Sequence, residues 1–113
     1  MRLLTTTLVT LFLLISAAKA DEFNCLVEAL YHEARSESFI GMISVANVVL
    51  TRKESSNFPN TICKVVHQGK YWKGNPIKDK CQFSYWCDGK PERFIDIEGL
   101  IKSLNVAEMS LNG

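Results

Sequence analysis

From Phe23 to Ala34 apolar residues return at intervals of three and four. Drawn as a helix at about 100° per residue, Phe23, Leu26, Val27, Leu30, Tyr31 and Ala34 share one face. Glu28, His32 and Arg35 fall on the opposite face, where solvent is expected. Glu33 belongs to neither set and stands at the border, on the side of Leu26. Asp21 is placed to cap this helix, Glu22 lies against the positive end of its dipole, and its end is expected near Ser36 to Ser38.

A second apolar run, Met42 to Leu50, follows Gly41. Its β-branched content permits a strand. Ser44, Asn47 and Thr51, however, recur at three and four residues as one polar stripe, which predicts a buried helix. The stripe either satisfies hydrogen bonds in the core or lines a groove. Lys53 to Pro59 is polar and ends in the breaker cluster Phe58-Pro59-Asn60. Asn60 or Thr61 then caps a short helix through Ile62, Val65 and Val66, closed by Gly69. Lys70 to Lys80 holds Gly74, Pro76 and five charged residues and reads as a surface loop. Its Tyr71-Trp72 pair suits stacking on sugar faces unless one ring packs inward. Gln82 to Trp86 alternates polar and aromatic residues, and Asp88-Gly89 makes a turn. Ile95 to Leu111 returns to helical spacing through Ile97, Leu100, Ile101, Leu104 and Ala107. No repeat or low-complexity tract interrupts the chain, so one mainly α domain with a small β or loop region is expected.

The 113 residues do not all belong to that domain. Arg2, the apolar run Leu8 to Ile15 and the small-x-small triplet Ala18-Lys19-Ala20 predict an export leader over residues 1–20. The run is short for a membrane span of roughly 20 residues, so the membrane is expected to be met only through this leader. Of 13 basic residues, Arg2 and Lys19 leave with the leader, and the remaining 11 face 12 acidic ones. That balance argues against nucleic acid as a partner. It is compatible with a weakly charged polar substrate such as a glycan.

Cys25, Cys63, Cys81 and Cys87 all follow the leader, and an even count in a small exported domain predicts two disulfides. Three pairings are possible. The short spacing around a bend favours Cys81–Cys87, which leaves Cys25–Cys63.

His32-Glu33 begins like a zinc-protease helix, but Ser36 stands where the second histidine belongs, so no metal is expected. Paired cysteines leave no thiol nucleophile. There is no glycine-rich phosphate loop, and no cofactor is expected. A glycosidic bond fits better, because its cleavage needs one carboxylic acid to protonate the leaving oxygen. At the border of its helix Glu33 is expected to be partly desolvated, which raises a carboxyl's pKa toward the working range of a general acid. Hydrolysis also needs a second carboxylate about 5 to 9.5 Å away. Glu37, one turn on, is either that group or a solvated residue at the helix end. Without it, a hydroxyl of the sugar itself can close on the reacting carbon, giving an anhydro product.

The segment Glu28 to Glu37 resembles the Glu-Ala-Arg-Gly-Glu segment of SleB-type cell-wall hydrolases, the spore cortex-lytic enzyme family. The likeness runs through Gly41, Val45 to Arg52 and Phe58 to Val66, and ends in Cys81-Gln82-Phe83-Ser84 and Cys87-Asp88-Gly89. It implies a lysozyme-like domain that cleaves peptidoglycan between N-acetylmuramic acid and N-acetylglucosamine, as a lytic transglycosylase or muramidase. Glu33 maps onto the family's essential glutamate. By the same resemblance Gln82 and Ser84 bind glycan, Phe83 packs beneath them, and Tyr31 orients the sugar or the acid. Ser36 departs from the family's glycine, Thr51 from its asparagine, and relatives commonly continue past the position of Gly113. The expectation is an exported, monomeric enzyme of bacterial or phage origin acting on glycan strands. The rival is a non-catalytic wall-binding module descended from one.

Overall fold

The apolar face of the first helix is the face the fold buries. In the computed structural model, which describes residues 2–113 and side chains from residue 17 onward, Leu26, Ala29, Leu30, Tyr31 and Ala34 keep no exposed surface. This helix, α1, runs Arg2–Ala34. Asp21 therefore lies inside a helix and caps nothing, because the preceding residues continue the same helical ladder. Glu22 turns to a different helix. Its carboxylate accepts hydrogen bonds from the backbone N–H groups of Ile62 and Cys63, at the start of α3 (Ile62–Val66). Thr61 completes that cap by accepting from the Lys64 N–H at 3.1 Å. The Cys25–Cys63 disulfide, with Cα atoms 5.2 Å apart, ties α3 to α1 beside these contacts. Most of the expected leader, including the apolar run, lies outside the described side chains. Among the described residues no helix is long and apolar enough to cross a membrane.

Between them lies α2, Phe39–Glu54, capped by the Ser38 hydroxyl on the Gly41 N–H. Met42, Ala46 and Val49 are buried, whereas Ser44, Asn47 and Thr51 are exposed. The helix is thus half-buried, not enclosed, and its polar stripe is a solvent face: α1, α3 and α4 cover one side of it only.

Lys70 to Lys80 is not a loop but most of a hairpin, β1 (Gly69–Trp72) paired antiparallel with β2 (Asn75–Cys81). Lys73 and Gly74 form the turn, both at positive φ (50° and 81°), as a two-residue hairpin turn of right-handed strands requires. Neither strand has a continuous buried face, so no period-2 signal marks it in the sequence. Gly69 marks a tight approach: a Cβ there would lie 2.9 Å from Cys81 Sγ. Cys81–Cys87 then closes over a 3₁₀ turn, Ser84–Cys87.

The last helix, α4, spans Ile97–Asn112 and is capped by Asp96, which accepts from the Gly99 N–H at 3.0 Å. Its buried side is Gly99, Ser103, Val106 and Ala107, while Ile97, Ile101 and Leu104 face out. The small residues let α4 pack closely on α1; a Cβ on Gly99 would sit 3.1 Å from Arg35 Cβ. The Ser103 hydroxyl is satisfied on the Gly99 carbonyl at 2.8 Å. The result is a mainly helical domain with one small two-stranded sheet and both disulfides in the expected pairing.

Candidate active site

Helix α1 stops at Ala34, leaving carbonyls without helical partners. Lys102 of α4 takes two carbonyls at this end, its Nζ donating to Arg35 O at 2.8 Å and Glu37 O at 2.6 Å. Glu33 projects from the last turn held in this way. It is exposed, so the expected partial burial is absent. Its Oε1 faces two donors of the 3₁₀ turn, the Ser84 hydroxyl and the Tyr85 N–H, each 3.4 Å away. Those are long hydrogen bonds that orient more than they bind. Among the described residues Oε2 has no protein partner.

Beside this carboxylate opens a cavity of about 470 Å³. His32 and Arg35 of α1, Ser84 and Tyr85 of the turn, and Lys90 and Arg93 of the following loop line it. Glu33 itself stands at its edge, joined to the lining through Ser84 and Tyr85. The His32 ring stacks on Tyr85, with centroids 5.0 Å apart and planes 13° off parallel. His32 is therefore half-covered and not simply solvated, and burial pulls its pKa below the ordinary 6.5.

Glu28 is likewise covered rather than solvated. Its Oε1 lies 3.9 Å from His67 Nε2, too far for a hydrogen bond. Loss of solvent dominates both groups, raising the Glu28 carboxyl and lowering His67, so burial works against the charged form of each. The Tyr85 phenol above them is pushed up, first by burial and then by Glu28. His67 stacks on Trp86 at 3.6 Å, whose indole donates to the Tyr71 hydroxyl at 2.8 Å, which donates in turn to the His67 carbonyl. This chain fastens the hairpin to the 3₁₀ turn that faces Glu33. Trp72 remains outside it, 69% exposed.

The structure brings Glu33 and Ser84 together, with Gln82 exposed nearby on the same segment and Phe83 buried beneath. It separates two others. Tyr31 has no exposed surface, and its hydroxyl accepts from the Asp96 N–H at 2.8 Å, so it steadies the start of α4 and cannot touch a sugar. Glu37 lies past the end of α1, its Oε2 turned toward Gly41, and is not one helical turn from Glu33. Sequence reasoning missed Lys90 and Arg93. The dense charge of Asp88 to Arg93, directly after Cys87, was the available signal.

Residues 36–113 match a family described as Cell Wall Hydrolase. The chain belongs to that family. The match to the cell wall hydrolases takes in the 3₁₀ turn and the charged loop, and begins three residues after Glu33. Spore cortex-lytic enzymes of Bacillus cereus and Bacillus subtilis are each 35% identical to the chain over 48 residues. That stretch is 42% of this chain but only 18% and 16% of theirs. The enzyme of Halalkalibacterium halodurans is 33% identical over 48 residues, 42% of this chain and 14% of its own. The chain thus matches under a fifth of these curated relatives. No solved structure matches it.

Proposed function

We propose that this cell wall hydrolase is an exported, lysozyme-like enzyme that cleaves peptidoglycan between N-acetylmuramic acid and N-acetylglucosamine, with Glu33 as its acid and base. The observation that carries the reading is a carboxylate aligned by Ser84 and Tyr85 at the edge of a cavity of about 470 Å³, with its second oxygen free. In the forward step Glu33 gives its proton to the bridging oxygen as the bond to the muramic C1 breaks. The resulting carboxylate then accepts the proton of the muramic 6-hydroxyl while that oxygen bonds to C1. An anhydro sugar forms, no water is consumed, and Glu33 ends protonated as it began.

The anhydro route is favoured over hydrolysis because Glu37, the second carboxylate expected from sequence, and Asp88 of the cavity lining are both turned to other groups. Glu37 is turned to Gly41, and Asp88 accepts from the Lys90 N–H at 2.8 Å. Export is supported by two disulfides and the leader-like residues 1–20.

The test is digestion of purified sacculi. Glu33→Gln should lower release of soluble muropeptides by about 10²–10⁴-fold, the usual worth of a general acid, while still sedimenting with the wall. Mass spectrometry should find anhydro ends. Equal binding with no release by the parent protein would replace the enzyme by a wall-binding module.

A further inference from the structure

The cavity beside Glu33 carries a charge that glycan cleavage alone does not require. Arg35, Lys90 and Arg93 all line it with one carboxylate, Asp88, while Glu33 at the edge and Glu92 between the two loop cations act on its His32 and Tyr85. Asp88 turns back on its own loop to accept from the Lys90 N–H. Among the described residues none of the three cations lies within 4 Å of a carboxylate; the two pairs found are Lys53–Glu54 and His67–Glu28, both elsewhere. Arg35 is fixed instead with its guanidinium 4.8 Å above the Tyr31 ring, which aims it without neutralising it. The whole chain is nearly balanced, with 13 basic and 12 acidic residues, and what is local here is three gathered cations that no carboxylate pairs. The lining also includes an aromatic pair, the stacked His32 and Tyr85 rings.

We infer that this cavity is a subsite for an anionic substituent of the glycan, a carboxylate on the peptide borne by the muramic residue next to the cleaved bond. The inference rests on the peptidoglycan reading above. Two guanidinium forks and one ammonium suit a carboxylate, which accepts bidentate hydrogen bonds, and a neutral sugar hydroxyl would leave that charge unused. The size is that of a small-ligand pocket, enough for a peptide side group and too small for a folded partner. The enzyme then selects glycan that still carries its charged peptides.

Binding tests this separately from catalysis. The Glu33→Gln protein is sedimented with untouched sacculi and with sacculi whose carboxylates are amidated by carbodiimide and ammonia. Lys90→Gln/Arg93→Gln in that background should weaken binding to the untouched wall by about tenfold. Lys70→Gln/Lys80→Gln, which removes the same charge from the exposed hairpin, should change it less than about twofold. On the amidated wall the Lys90/Arg93 pair should make no difference. Equal loss on both walls, equal loss in the hairpin variant, or no loss at all overturns the subsite and leaves the enzyme standing. Absence of wall binding by the parent, with no muropeptide release, overturns both.

Discussion

Single side chains around Glu33 divide into those that meet solvent and those that set where it stands. His67 is of the second kind, half-buried against Trp86 and facing Glu28. Burial holds its pKa under the ordinary 6.5, and that of His32 as well. The unfolded chain therefore binds more protons, and the stabilising contribution is complete above pH 6.5 and lost as pH falls through the lowered values. Glu28 has the opposite sign. Its raised pKa favours the fold below 4.5, and the benefit is lost as pH rises through the folded value. His67→Gln should accordingly flatten the fall in melting temperature between about pH 7.5 and 5.5, measured by thermal denaturation. An unchanged slope would show that this ring titrates freely. Periodicity located Glu33, yet it put Glu28 and His32 in solvent, because a helix drawn alone does not include the turn that folds back over it. Tyr31 was misjudged for a related reason: two residues along the chain from Glu33 is a rotation of about 200° on a helix, here into the core.

Elements were legible where one face was buried and the ends were capped. Thr61 and the pattern of α3, or the breakers after α2, follow from local chemistry. The hairpin was not legible, because strands wet on both faces leave no alternation to read. Nor was the face of α4, where hydropathy favoured Ile97, Ile101 and Leu104 but close packing buries Gly99, Ser103 and Val106. That closeness lets Lys102 reach the end of α1. Lys102→Met keeps the aliphatic stem and removes the donors to Arg35 O and Glu37 O. It should cost about 1–2 kcal/mol of stability in chemical denaturation and lower muropeptide release with little change in wall binding. Full activity in that variant would mean that the helix end holds itself.

At the scale of the molecule, two bridges support a core drawn from three helices and a short fourth. Cys25–Cys63 joins residues 38 apart and fixes α3 under α1. Cys25→Ser/Cys63→Ser should lose roughly 2–4 kcal/mol, seen as a lower denaturant midpoint, with a smaller loss if α3 is held mainly by Glu22. The other bridge closes a six-residue separation and encloses both groups that face the Glu33 carboxylate, Ser84 and Tyr85. In a thiol-reducing cytoplasm this clasp stays open, and the acid lacks its aligned neighbours. On the exported, Glu33-dependent reading proposed above, a cell making the chain would carry it unarmed until oxidation on the far side of the membrane completes it.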